Sequence, residues 1–407
     1  MIVRLRAALE PTTRGLPPTF WWLLLGFLVT RLGTFVVPYL AIYLTSERGA
    51  TPAQAGVVAS LWGLGAIASG PVAGTLADRF GRRATLVAAL ALAGVWTVAL
   101  GFVEGLGALG AAVLVLGFVS EGYRPPMQAA IADVVLDPAA RARAFALLYW
   151  TANLGFAVGL VAAGLLARVG YRWLFLADGA TTLLFALVVA AKVPESRPDA
   201  AGAHPDAAAL RGLAATFGDG VLVALLLLNL AFGAILWQAH TSLPIDMVAK
   251  GLGPATYGAL MSLNGVVVVL AQPFLVRVFA RRDPGNVLAV AAVLSGAGWG
   301  MNALARSTGG FALAIVVWTV GEIANNPTGA TLVAELAPAH LRGRYQGAYG
   351  MSWALASAIG PAAGAAALGA WGSSALWAGC LGVNLVVAAG HLAAAGPRRA
   401  RLRAVTR

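Results

Sequence analysis

Only one of the 407 residues is a cysteine, Cys380, and it lies in an apolar stretch. A disulfide framework and a cysteine-based metal site are therefore excluded. Charge is also scarce: Asp, Glu, Lys and Arg make up 11% of the chain, against about one quarter in a soluble domain. No G-x-x-x-x-G-K-[ST] loop occurs, so ATP drive by this chain is not expected. His204, His240, His340 and His391 are scattered, without metal-ligand spacing or a nucleophile–base pair. An enzyme and a bound cofactor are both unexpected.

Apolar residues fill the space that charge leaves: 59% of the chain is hydrophobic and the mean hydropathy is +0.80. Only a chain whose main solvent is lipid can place so much apolar side chain on its outside. The 50 glycines agree, because small residues let membrane helices approach closely. Arg4, Arg6 and Arg14 precede an apolar stretch too long for a signal-peptide core, and it runs on into further spans. About 20 apolar residues cross the hydrocarbon as a helix. That window predicts twelve spans, near 18–44, 53–77, 84–104, 107–132, 143–167, 172–192, 216–243, 254–279, 286–305, 311–335, 344–368 and 372–395.

The net charge of +12 is not a nucleic-acid signal, because the basic residues recur in short hydrophilic breaks rather than on one face. With the N-terminus inside, 21 of the 28 Lys and Arg fall in cytoplasmic segments and five outside. The positive-inside rule then predicts both termini in the cytoplasm. The longest hydrophilic stretch, 193–214, is rich in Pro, Asp and Ala and divides the spans six and six. It reads as a linker between a first bundle, 1–192, and a second, 215–407, that ends in a basic tail. The halves also match each other. Shifting Gly56, Ser60, Leu61, Gly63, Pro71 and Arg79 by 202 positions lands on Gly258, Ser262, Leu263, Gly265, Pro273 and Arg281. A shift of 201 puts Glu121, Pro126, Arg141, Arg143 and Gly159 on Glu322, Pro327, Arg342, Arg344 and Gly360. Parallel repeats of this kind are one way transporters are built.

The segment from Gly74 through Asp78, Arg79, Gly81 and Arg82 to Arg83 resembles the signature loop of the major facilitator superfamily. Arg124 in span 4 stands where that family often carries a buried arginine, although Glu121-Gly-Tyr-Arg-Pro-Pro126 departs from the commonest form. Gly155, Gly159 and Gly164 in span 5 resemble loosely the glycine-rich antiporter motif, whose Gly-Pro pair occurs instead at Gly360 in span 11. With Arg31-Leu-Gly33 and Pro38-Tyr39 in span 1, and Glu322 with Pro327 in span 10, the pattern is similar to the bacterial twelve-helix drug:proton antiporter branch. The resemblance implies an all-α membrane fold of two pseudo-symmetric six-helix bundles. It also implies a monomer in the bacterial cytoplasmic (inner) membrane, driven by the proton motive force. Asp78 and its loop arginines would help hold an inner gate, with Arg141 or Arg143 as partners.

Ionisable residues within spans cost several kcal/mol unless paired or watered, so each is a functional candidate. Five lie deep enough in a span to matter: Arg31, Glu121, Arg124, Asp178 and Glu322. Glu121 and Arg124 are three apart and share a helical face. Two arginines neutralise at most two of three acids, leaving one free to take a proton. Glu322 is the first choice, because no basic residue lies deep within a span of the second half; Glu121 and Asp178 follow, Asp178 with Arg172 as a potential partner. Polar and aromatic candidates for a substrate cavity are Tyr39, Tyr123, Tyr149, Trp150, Asn153, Trp237, Gln238, His240, Asn264, Gln272, Asn325 and Asn326. Rings and amides of this kind suit amphipathic or cationic guests. The expected function is proton-coupled efflux of such small molecules by alternating access. Proton-coupled uptake, lipid-like translocation and a transporter-shaped receptor are the alternatives.

Overall fold

The computed structural model describes residues 15–196, 216–279, 282–338 and 341–405. Arg4, Arg6 and Arg14, the linker from 197 to 214 with Arg197, His204 and Arg211, and Arg281, His340 and Arg407 lie outside the described residues. Every regular element described is helical, as a backbone in lipid requires when water is not there to satisfy it. Contacts gather the helices into two compact units. The first comprises residues 15–36 and 65–196, the second 37–64 and 216–405. Residues 37–64 thus pack with the second half of the sequence, although they precede the linker.

In the first unit, α1 (Pro18–Leu32) opens on a proline, whose missing N–H has no intrahelical partner at that position. The C-terminal part of α3 (Pro52–Phe80), then α4 (Arg82–Leu100), α5 (Leu106–Glu121), α6 (Arg124–Val134), α7 (Pro138–Val169) and α8 (Arg172–Lys192) complete it. α7 starts where the Asp137 carboxylate accepts from Ala140 N, satisfying one of the four orphan donors of a helix start. Phe20, Leu23, Phe27, Leu86, Leu90, Tyr123, Ile131, Phe185 and Val189 form the core. Span 4 is bent between α5 and α6 at Gly122-Tyr123, because Pro125 and Pro126 remove two consecutive donors.

The second unit contains α2 (Val36–Ser46) from its second residue on, the N-terminal part of α3, and α9 (Gly220–Leu236), which leads through a 3₁₀ turn (Trp237–His240) into α10 (Ser242–Ala249). It continues with α11 (Pro254–Phe279), α12 (Pro284–Met301), α13 (Thr308–Leu336), α14 (Arg342–Ala393) and α15 (Ala395–Val405). Tyr257 OH donates to the carbonyls of Pro38 and Ala239, at 3.2 and 2.9 Å, and Ala362 N donates to Ser60 Oγ at 2.9 Å. These bonds tie residues 37–64 into the unit. Trp299 stacks between Trp318 and Trp377, at 5.1 and 5.6 Å.

Ten helical segments among the described residues are long and apolar enough to cross a bilayer. α14 is two helices joined end to end at Gly372, which leaves the helical conformation with φ of 79°; a left-handed backbone is open to glycine at no steric cost. The span read as continuous over 18–44 is in fact broken at Gly33–Phe35. α3 and α11 both begin on proline, 202 positions apart, and each carries an interior proline, Pro71 and Pro273. The repeat seen in the sequence is therefore a repeat of proline-containing helices.

Candidate functional site

The break in span 1 is the best-furnished place in the first unit. α1 stops at Leu32 and α2 starts at Val36, so the first amides of α2 lack helical acceptors. Asp178 on α8 supplies one: its Oδ2 accepts from Phe35 N and Val36 N, both at 3.0 Å. A carboxylate at a helix N-terminus also meets the positive end of the macrodipole. The expected pairing of Asp178 with Arg172 is not found; the Arg172 guanidinium lies over the Phe102 ring at 5.0 Å. Arg172 is the first residue of α8, and Asp178 lies six positions further along the same helix.

Arg31 stands on the last turn of α1, beside that break. Its Nη2 donates to Tyr123 OH, and its guanidinium lies 5.0 Å from the Phe27 ring centre and 5.9 Å from that of Tyr123. No acid approaches it within ion-pair distance among the described residues, and its Nε has no partner. An added Cβ at Gly155 would come within 2.5 Å of Arg31 Cβ, and one at Gly159 within 2.7 Å of the Leu32 carbonyl. These α7 glycines let the backbone close on span 1, a packing reason for the glycine pattern in span 5.

Glu121 and Arg124 do pair across the bend in span 4, with Nε to Oε2 at 2.5 Å and Nη2 to Oε1 at 3.2 Å. A bidentate fork of this kind is the strongest form of the contact. Tyr123 is buried, 4% exposed, and serves Arg31. Tyr149 and Trp150 are about half exposed, and Asn153 donates to the Tyr149 carbonyl on its own helix. A groove of about 350 Å³ between α3, α4 and α5 is lined by Val72, Leu76, Phe80, Leu92 and Phe118 among others, and includes none of these ionisable residues.

In the second unit, Glu322 sits inside α13, where Asn264 Nδ2 on α11 donates to its Oε2 at 2.9 Å and to Thr319 Oγ1 at 2.9 Å. No basic group lies within ion-pair distance of Glu322 among the described residues. Asn325 and Asn326 follow on the same helix, and each has one buried amide atom without a partner. Gln238 donates to Gly360 O and accepts from Ser242. It is 2% exposed, so it joins helices rather than lining a cavity. Tyr39 is likewise buried, with its hydroxyl on Pro254 O at 3.1 Å and its ring against Tyr257. Trp237 packs on Trp62 and His240.

The sequence reading missed a buried ion pair. Asp246 is 3% exposed and accepts from Lys250 Nζ and Trp377 Nε1, both at 2.8 Å. Lys250 also lies over the Phe311 ring at 5.2 Å. The i, i+4 spacing of Asp246 and Lys250 was the available signal, but a span ended at residue 243 placed both outside the membrane.

At the signature loop, Asp78 pairs with Arg82 at 2.8 Å, and Arg82 also reaches Asp133 at 3.4 Å. Arg141 is not the Asp78 partner; it donates to Val135 O. Arg79 lies over Phe80, and Arg83 donates to Ala190 O. Glu195, just past α8, caps the start of α4 by accepting from Arg82 N at 2.7 Å and Arg83 N at 3.2 Å. Partial burial pushes its carboxyl upward, but the amide bonds from Arg82, Arg83, Ser196 and Ala84 prevail and hold it below the usual glutamate range. Asp219 at the start of α9 follows the same logic. Burial acts upward, and bonds from Tyr345 OH, Leu222 N and Arg401 bring it below the aspartate range.

The Major Facilitator Superfamily model matches residues 23–361 and, in a second alignment, 240–404. The uncharacterized MFS-type transporter YhjO of Bacillus subtilis is 27% identical over 86% of this chain and 87% of its own. A Na(+), Li(+), K(+)/H(+) antiporter of Planococcus maritimus is 25% identical over 80% of this chain and 84% of its own. The 4-hydroxybenzoate transporter PcaK of Pseudomonas aeruginosa is 32% identical over 44% of this chain and 41% of its own. The solved structure of the nucleoside transporter NupG superposes with a TM-score of 0.76 at 16% identity, covering 94% of this chain and 99% of that one.

Proposed function

The chain belongs to the major facilitator superfamily, and from that premise we propose that it is a proton-coupled exporter of small amphipathic molecules. It works by alternating access and uses Glu322 as its proton carrier. The observation that carries the reading is the isolation of Glu322: half-buried within α13, hydrogen-bonded to a neutral amide, and without a cation within ion-pair distance among the described residues. A carboxyl in such a place is stable when neutral and needs water when ionised. Opening the site to one side of the membrane and then the other lets the same group load and release a proton. An antiporter among the relatives supports exchange as the direction. The 4-hydroxybenzoate transporter favours a second reading, proton-coupled uptake of an aromatic acid, which the same carboxyl serves equally well.

The chain then lies in the bacterial cytoplasmic membrane with both termini inside. Dividing α14 at Gly372 and counting the 18-residue α12 brings the ten long segments to twelve spans, six on each side of the linker. Proteoliposomes with an imposed pH gradient test the coupling. Glu322→Gln is expected to abolish gradient-driven flux while substrate counterflow, which needs no proton, persists. Undiminished driven flux in that variant would remove Glu322 from the coupling step.

A further inference from the structure

An arginine cannot shed its charge at any physiological pH, so a guanidinium inside the bilayer must find an anion or water. In the first unit the acids that could serve are already engaged. Glu121 is held by both fork nitrogens of Arg124. Asp178 accepts the two opening amides of α2 and forms no ion pair with Arg31. Arg31 is left with one phenol, two ring faces and an unused Nε. Its side chain keeps part of its surface open. Phe27 and Tyr123 steady the guanidinium from its faces, and a planar fork held that way is pre-organised for a carboxylate in its own plane. Gly155, where the span 5 backbone closes on Arg31, brings no side chain that could cover it.

We propose that Arg31 is the anchor of a substrate subsite for a small organic carboxylate. The cargo is thus an anion rather than the cation that the in-span acids first suggest. The inference rests on the transport reading above and specifies its substrate class. The unpaired charges divide the work: Glu322, which a proton can neutralise, carries the proton, while Arg31, which a proton cannot neutralise, selects the anion. Asp178 opposes the anion through its field, so removing its charge favours binding.

Carboxylates and their amide isosteres separate charge from shape. Binding of nicotinate and nicotinamide, and of 4-hydroxybenzoate and 4-hydroxybenzamide, is measured by calorimetry on the purified protein in nanodiscs, with tetraphenylphosphonium as the cationic probe. The wild type is expected to prefer the acids by about tenfold or more, the worth of a charge-assisted bond. Arg31→Gln removes that preference without weakening the amides, Arg31→Lys restores part of it, and Asp178→Asn tightens the acids. Equal binding of acid and amide by the wild type, or an unchanged ratio in a monodisperse Arg31→Gln protein, overturns the proposal. So does binding of tetraphenylphosphonium with rejection of every acid. The wild-type comparison stands even where a variant fails to fold. Because binding in nanodiscs needs no gradient, rejected acids alongside proton-driven flux of a cation would end the anion assignment and leave the transport reading intact. Arg31-dependent acid binding without any flux would do the reverse.

Discussion

Asp178 shows what a single residue contributes beyond its charge. Two buried amides depend on one of its oxygens, and an unsatisfied buried donor costs roughly 1–3 kcal/mol. Asparagine keeps an acceptor oxygen in the same place, whereas alanine keeps none. Asp178→Asn is therefore expected to melt close to the wild type, and Asp178→Ala several degrees lower, by fluorescence-detected thermal unfolding in detergent. Equal melting of the two would mean that the amides find another acceptor. The residue itself was legible in the sequence as an acid inside a span, but its partner was not. Side-chain pairing pointed to Arg172, while the true partners are backbone groups freed by a helix break that Gly33 alone hints at. The Asp246–Lys250 pair escaped for a related reason, since a hydropathy window ends where charge begins.

At the level of elements, the loop between α3 and α4 depends on a conformation and a cap together. Gly81 has φ of 100°, and a Cβ there would stand 2.4 Å from a Glu195 carboxylate oxygen. A left-handed alanine costs roughly 1–2 kcal/mol, and displacing Glu195 frees the first amides of α4. Gly81→Ala is thus expected to lower the melting temperature more than Glu195→Gln, which loses the charge and keeps an acceptor. The pH dependence of that second variant has a definite sign. Because the folded value of Glu195 lies below its ordinary range, its extra stabilisation is present at neutral pH. It is lost as pH falls from that ordinary range through the folded value. Melting curves of wild type and Glu195→Gln should converge on acidification; a gap constant with pH would rule out the ionised cap. The signature motif marked Gly81 as important. It gave no sign of Glu195, whose role is set by where the chain leaves α8, 114 positions after Gly81.

Across the whole molecule, the two halves diverge at one informative position. The shift of 201 that superposes Glu121 on Glu322 carries Arg124 onto Asn325. The same acid is therefore clamped by an arginine in one half and left with an amide neighbour in the other. In span 4 the proline pair bends the helix at that point, while α13 runs on past its single Pro327. Both halves carry a carboxyl at the same repeat position, and under the proposed proton coupling the partner three residues on is expected to set which one is free to exchange a proton. Arg124→Asn recreates the second-half arrangement in the first. Removing the arginine from this in-span pair leaves Glu121 without a countercharge, as Glu322 is in the second half. In proteoliposomes with an internal pH dye, this variant is expected to move more protons per substrate than the wild type. Arg124→Lys, which keeps the charge, should restore the wild-type ratio. An unaltered ratio in Arg124→Asn would mean that the partner at this repeat position does not decide which carboxyl carries the proton.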